Sequence, residues 1–136
     1  MTSIDQSREE LDAANKLVDS GFPRQAVSRA YYAAFYAART ALEALGEPSP
    51  KTHSGMRSRF SDLARTTPTI GPEAGRFLSQ LATDRAEADY DDPTVTNDEA
   101  IEAIGKARQV VDAVERALAA GLGKGQGRGP YPQSDA

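Results

Sequence analysis

The chain has 136 residues, a net charge of -4, no cysteine and a single histidine. This length supports one hydrophobic core, the missing cysteine excludes disulfides and thiol catalysis, and one histidine argues against a zinc site of the usual His/Cys type. The acidic net charge argues against a protein that coats nucleic acid non-specifically. The sequence has no apolar run of about 18 residues and no apolar start, so we predict a cytoplasmic protein without a membrane span. We also predict no bound metal or cofactor.

The first two helices are predicted from apolar residues that recur at helical spacing. The pattern places one helix over residues 4–20 and a second over 23–45. Gly21 ends the first helix, and Pro23 suits the first turn of the next. Because the connection is short, we expect the two helices to pack as antiparallel neighbours.

The second helix has three faces instead of the usual two. One carries large apolar side chains, and another carries only alanine, so that a neighbouring helix can approach it closely. The third face carries Arg29, Tyr32, Tyr36, Arg39 and Glu43, and we call the first four residues the Arg-Tyr face. It is either a half-buried surface or a contact face for a second subunit or a phosphate-bearing ligand.

Prolines and glycines separate three further helices. We predict the third over residues 54–66, capped by Thr52, His53 or Ser54, and the fourth from residue 72 to 89 or 90. The fifth helix follows the next loop.

A capping box formed by Thr96 and Glu99 is predicted to open the fifth helix.

No strand pattern appears, so the predicted fold class is all-α, an antiparallel bundle of four to five helices. We assign residues 1–120 to this helical domain. The glycine- and proline-rich residues 121–136 are predicted to form a disordered tail.

Charge is distributed unevenly along the chain. Residues 51–65 hold four basic residues and one acidic residue, a balance of 4 - 1 = +3, whereas residues 84–102 hold one basic and eight acidic residues, a balance of 1 - 8 = -7. Such segments attract each other, within one chain or between two.

Arg85 occupies a position of the fourth helix at which the apolar row predicts a leucine. A charge on the buried side needs a partner, and Asp89, one turn later, is the nearest candidate within the helix. An arginine can also bind phosphate through two parallel hydrogen bonds. Arg85 is therefore either half of a structural ion pair or a ligand-binding residue.

Three stretches in series resemble the small bacterial and archaeal HEPN domain proteins, over roughly residues 5 to 118. They read SRAYYAAFYAA at 28–38, KTHSGMRSRF at 51–60 and RAEADYDDP at 85–93. The resemblance implies a helical bundle, commonly a homodimer, that often stands beside a nucleotidyltransferase partner in toxin-antitoxin or defence pairs. It also implies, for many members, a metal-independent RNA endonuclease in which an arginine and a histidine four to six residues later meet their copies at the dimer interface.

Arg85 matches the arginine of that motif, but Tyr90 stands where the histidine is expected. A phenol with a pKa near 10 is a poor base at neutral pH. His53 is a cap or surface residue, or else it replaces the missing base if its loop folds toward Arg85. Tyrosines of this region are nucleotide acceptors in some family members, which makes Tyr90 or Tyr32 a candidate here.

The resemblance and the residues together predict a HEPN-type component that binds a nucleotide or RNA. In this reading Arg85 and the Arg-Tyr face bind the ligand, and the protein is a ribonuclease with a degenerate motif, in which Arg85, Tyr90 and His53 are the candidate catalytic residues. The alternative is a non-catalytic module that binds a partner nucleotidyltransferase.

Overall fold

The computed structural model describes residues 3–89 and 94–123. Within these ranges the chain forms five α-helices and no strand, which confirms the predicted all-α bundle. The helices are α1 (Ser3–Asp19), α2 (Pro23–Ala44), α3 (His53–Thr66), α4 (Pro72–Ala88) and α5 (Asn97–Ala119).

Helix α2 is the centre of the bundle, because it contacts all four of the other described helices. Its alanine face allows α1 to approach closely, as the short connection predicts. At this contact the buried hydroxyl of Ser7 donates a hydrogen bond of 2.7 Å to the carbonyl oxygen of Ala33. Five alanines of the face are fully buried: Ala26, Ala30, Ala33, Ala37 and Ala41.

The largest enclosed side chains come from four different helices. Tyr31 of α2 is only 1% exposed, and it shares the core with Phe60 of α3, Leu78 of α4 and Val111 of α5. A tyrosine in such a position normally finds a partner for its hydroxyl. This residue connects the core to the site described below.

The start of α3 is set by Thr52, whose hydroxyl accepts a hydrogen bond of 2.9 Å from the Gly55 amide. Of the three residues predicted as possible caps, Thr52 is therefore the one that serves. His53 becomes the first residue of the helix instead. Its side chain is left free for other contacts.

The predicted capping box at the start of α5 is confirmed. The Thr96 hydroxyl accepts a hydrogen bond of 3.1 Å from the Glu99 amide, and the Glu99 carboxylate accepts one of 2.9 Å from the Thr96 amide. Two backbone donors at the helix start are thus satisfied.

Replacing Thr96 with alanine is expected to lower the free energy of unfolding by about 1 kcal/mol, because one of these donors loses its partner. Urea denaturation monitored by circular dichroism measures the change. The matched control is Thr69→Ala, at an exposed position in the loop before α4. Equal unfolding free energies for the two variants would contradict this role of the cap.

The last described residues, 121–123, lie against the bundle, and Leu122 is only 5% exposed. The rest of the predicted tail, residues 124–136, lies outside the described residues, as does Tyr90 with residues 91–93. The expectations for the tail and for Tyr90 therefore stay predictions. Helices long and apolar enough to cross a membrane are absent from the described ranges.

Candidate functional site

Arg85 lines an open groove between α2, α3 and α4. The groove has a volume of about 520 Å³ and is here called the Arg85 groove. Its lining residues are Tyr31, His53, Arg57, Ser79, Ala82, Thr83, Arg85, Ala86 and Glu87.

The Arg85 guanidinium lies over two tyrosine rings of α2. Its central carbon is 5.1 Å from the ring centre of Tyr32 and 5.4 Å from that of Tyr31, both within the range of cation–π contacts. The side chain is 32% exposed, so the aromatic rings hold it at the edge of the core. This contact explains how a charged residue replaces the expected leucine.

The predicted pair between Arg85 and Asp89 is present but loose. The Nε atom of Arg85 is 3.5 Å from the Asp89 carboxylate, yet it is buried and makes no hydrogen bond with any described residue. The separation of 3.5 Å is longer than an ordinary hydrogen bond from N–H to oxygen. Arg85 is therefore not held in a tight ion pair, and its guanidinium can bind an anionic ligand.

His53 lies in the same groove as Arg85. Its Nδ1 atom is 2.8 Å from the Tyr31 hydroxyl, and its ring stacks on Phe35 with 4.3 Å between ring centres. The sequence left open whether His53 is a cap or lies near Arg85. The structure places it beside Arg85, with Thr52 as the cap.

The surroundings keep the imidazole neutral and the phenol protonated. Burial, and then the charges of Arg85 and Arg57, lower the pKa of His53 below its usual 6.5. Burial raises the pKa of Tyr31 above 10, against the hydrogen bond and charge of Arg57 and the charge of Arg85. At neutral pH the groove therefore holds two basic side chains, Arg57 and Arg85, one acidic side chain, Glu87, a neutral imidazole and a neutral phenol.

The Arg-Tyr face is divided by the structure into two parts. Tyr32 lies between two arginines, since the Arg29 guanidinium is 5.3 Å from its ring centre on α2 and Arg85 is 5.1 Å away on α4. Arg29 also pairs with Glu10 of α1 at 3.0 Å. Tyr32 is thus the member of the face that reaches Arg85.

The other part of the face stands apart from the groove. Arg39 covers the Tyr36 ring at 4.9 Å and lies 3.9 Å from the Glu43 carboxylate, one turn further along α2. None of the four residues of the Arg-Tyr face lines the Arg85 groove. Of these four residues, predicted to bind ligand, only Tyr32 contacts Arg85, and Arg29 reaches it only through the Tyr32 ring.

Two residues of the groove were missed by the sequence analysis. Helical spacing places Tyr31 in the large apolar stripe of the second helix, and Arg57 is one of the four basic residues of the stretch 51–65, so neither pattern predicts a role in the site. The excess of positive charge in that stretch was the available signal for Arg57. For Tyr31 the signal was the need of a buried hydroxyl for a polar partner.

The side of α4 that faces α5 carries mostly acidic side chains, one of which, Glu87, also lines the Arg85 groove. A groove of about 170 Å³ between α4 and α5, here called the acidic groove, is lined by Asp84, Glu87, Glu99, Glu102 and Lys106 with Val27, Val95 and Ala103. Burial and the neighbouring Glu87, Glu102 and Glu99 raise the pKa of Asp84, against the effect of Lys106.

Across residues 3–89 and 94–123, no group of three His, Cys, Asp or Glu side chains is arranged to hold a metal ion.

Comparison with known proteins gives concordant matches over nearly the whole helical part of the chain. A family model described as the HEPN domain matches residues 1–117. A protein of Methanocaldococcus jannaschii named "Putative toxin" is 34% identical over 115 residues, which is 85% of either chain. A UPF0332 protein of Thermotoga maritima is 32% identical over 114 residues, which is 83% of this chain and 86% of that protein. The matches therefore include α1 to α4 and most of α5.

Proposed function

This chain belongs to the HEPN domain family, and from that premise we propose that it is the RNA-binding component of a cytoplasmic toxin-antitoxin or defence module. Its relatives named "Putative toxin" support the toxin-like module. The observation that carries the choice of ligand is the meeting of Arg85, Arg57 and His53 in one groove. Two guanidinium groups suit the phosphodiester of a nucleic acid or the phosphates of a nucleotide.

The proposed reaction is cleavage of the RNA chain with His53 as general base. His53 removes the proton of a ribose 2′-hydroxyl, and the resulting oxygen attacks the adjacent phosphorus. The bond to the 5′-oxygen breaks, water supplies the proton to that leaving oxygen, and the products end in a 2′,3′-cyclic phosphate and a 5′-hydroxyl. Arg85 and Arg57 stabilise the negative charge that grows on the phosphate oxygens.

The contact between His53 and Tyr31 fits this role in one of the two tautomers of the imidazole. In the tautomer that the reaction requires, the proton is on Nδ1, and this N–H donates a hydrogen bond to the Tyr31 oxygen. Nε2 is then free to accept a proton from the substrate. The lowered pKa of His53 keeps this nitrogen unprotonated at neutral pH. Tyr90, which lies outside the described residues, keeps its predicted role of stacking on a base or orienting Arg85.

Labelled single-stranded RNA tests both parts of the proposal. We expect salt-sensitive binding and products that carry a 2′,3′-cyclic phosphate. A wild-type protein that neither binds nor cleaves RNA would contradict the proposal. Binding without cleavage would contradict the proposed catalytic step and support only the RNA-binding role.

The second candidate function is a non-catalytic module that binds a partner nucleotidyltransferase. The specific observation in its favour is the acidic groove, since four carboxylates beside α5 would attract a basic surface of another protein. The family resemblance adds a homodimer, in which two copies of the Arg85 groove would face each other.

The mass of the particle in solution tests both associations. We expect the protein alone to have twice the mass of one chain, and co-expression with the nucleotidyltransferase from a neighbouring gene to give one larger complex. Glu102→Lys should weaken that complex because it reverses a charge of the acidic groove, whereas Glu9→Lys, at an exposed position of α1, should not. Separate peaks for the two wild-type proteins would contradict the interaction.

A further inference from the structure

A second groove adjoins the Arg85 groove along the contact between α3 and α4. This α3–α4 groove has a volume of about 370 Å³ and is lined by Ser61, Arg65, Pro72, Gly75, Arg76, Ser79 and Gln80. Ser79 lines both grooves, so the two adjoin at this residue, and together they are called the depression.

Polar side chains border this depression on both helices. On α3, Arg57, Ser61 and Arg65 follow one another at intervals of four residues, which puts them on one side of the helix over about 12 Å. On α4, Arg76 and Ser79 lie on the facing side. Arg57 is at the Arg85 end, and Arg65 and Arg76 are at the far end.

The floor of the depression is formed by a close approach of the two helices. A Cβ atom added at Gly75 would lie 3.0 Å from the Ser61 hydroxyl oxygen and 3.1 Å from the Ser61 Cα. The glycine is explained by this packing and need not touch a ligand. Because α3 and α4 approach closely at Gly75, the depression has a narrow floor between two rows of longer polar side chains.

The charges of the grooves differ sharply across α4. Among the described residues, the lining of the α3–α4 groove includes Arg65 and Arg76 and no carboxylate, whereas the acidic groove on the other side has four carboxylates and one lysine. The positive charge that borders the depression therefore lies toward Arg65 and Arg76, and Glu87 stands at the boundary because it lines both the Arg85 groove and the acidic groove. A polyanion that leaves the Arg85 groove is therefore attracted toward α3 and repelled from α5.

Both arginines at the far end are free to engage a phosphate. Arg76 is exposed and forms no ion pair with the described part of the chain. Arg65 pairs with Asp62 at 2.6 Å, but the two side chains are 61% and 62% exposed. Such an exposed pair contributes little to stability, so a phosphate can replace the carboxylate.

We infer that single-stranded RNA bound at the Arg85 groove continues along the α3–α4 groove, with a flanking phosphate at Arg76 and Arg65. The inference rests on the proposed function and adds the path of the strand. The described lining of the α3–α4 groove has no aromatic ring on which a base could stack. The groove therefore contacts the RNA backbone. We expect affinity to increase with strand length and to be independent of the base sequence.

The test compares the binding of RNA strands of about 2 and 12 nucleotides, since a dinucleotide has one internal phosphate and cannot occupy Arg85 and Arg76 together, which lie about 13 Å apart along α4. Arg76→Ala should weaken binding of the longer strand about two- to fivefold, and Arg76→Glu should weaken it further. The slope of log affinity against log salt should fall by about 0.7, the value for one phosphate contact on a single strand. The shorter strand should bind as it does to the wild type.

Arg108→Ala is the matched control, because it removes the same charge from an exposed position of α5. If the Arg76 variants bind both strands like the wild type while Arg85→Ala weakens both, the path is wrong and the proposed function stands. If Arg85→Ala changes neither strand, the proposed function fails, and the inference fails with it. An equal loss in Arg108→Ala would also overturn the path, since the effect would then reflect net charge alone.

Discussion

Replacing His53 with glutamine is expected to lower the rate of RNA cleavage by roughly 10²- to 10⁴-fold, the usual contribution of a positioned general base. Glutamine can still hydrogen-bond to Tyr31, but it cannot accept a proton at neutral pH. The affinity for RNA should change little, because Arg85 and Arg57 remain. Single-turnover cleavage and equilibrium binding, measured on the same labelled RNA, separate the two effects.

The pH dependence of cleavage identifies the group that titrates. The reaction needs neutral His53, so the rate should rise with pH through the pKa of this residue and then level off. Burial and the charges of Arg85 and Arg57 lower that pKa, which places the rise below pH 6.5. Arg57→Gln removes one of the charges and should move the rise toward higher pH, whatever its effect on the maximal rate.

The control for His53→Gln is Ser54→Ala, at the exposed neighbouring position. This variant should cleave RNA at the wild-type rate and with the wild-type pH profile. Unchanged cleavage in His53→Gln would refute the role of His53 as base. A rise that stays at the same pH in Arg57→Gln would show that another group titrates.

Replacing Arg85 with alanine is expected to weaken RNA binding by roughly 10- to 100-fold, because a hydrogen-bonded charge pair with a phosphate is worth about 1.5–3 kcal/mol. Arg85→Lys should recover only part of the affinity, since a lysine ammonium cannot donate two parallel hydrogen bonds from one plane. Fluorescence anisotropy with labelled single-stranded RNA measures the change. Thermal unfolding of each variant shows whether the bundle is intact.

Asp89→Asn distinguishes ligand binding from a purely structural ion pair. If Arg85 serves phosphate, removal of the nearby carboxylate charge should leave RNA affinity unchanged or raise it. If Arg85 and Asp89 act only as a structural pair, Asp89→Asn and Arg85→Ala should destabilise the fold alike and Arg85→Ala should not affect binding. The long distance of 3.5 Å and the missing hydrogen bond favour the first outcome.

Local features of the fold could be predicted because they depend on neighbouring residues. The capping box of Thr96 and Glu99 needs only the right side chains three positions apart. The alanine face of α2 likewise follows from helical spacing, and it indicates close packing by a neighbour. These predictions agree with the structure because no distant contact overrides them.

The composition of the site could be predicted only in part, because it depends on how distant segments meet. Arg85 was found from its place in an apolar row of its own helix. The position of His53 depends instead on the loop before α3 and on how α3 packs against α2, which periodicity does not determine. The same holds for Arg57, which lies one turn beyond His53 and reaches the groove only through that packing.

Tyr31 belongs to the hydrophobic core and to the site at once. Its ring is enclosed at 1% exposure, and its hydroxyl holds the imidazole of His53 at 2.8 Å. A substitution that loses the ring leaves a hole in the bundle, whereas one that loses only the hydroxyl spares the packing and releases the imidazole. Tyr31 therefore serves two structural purposes at once, since its ring fills the core and its hydroxyl fixes the orientation of the His53 imidazole.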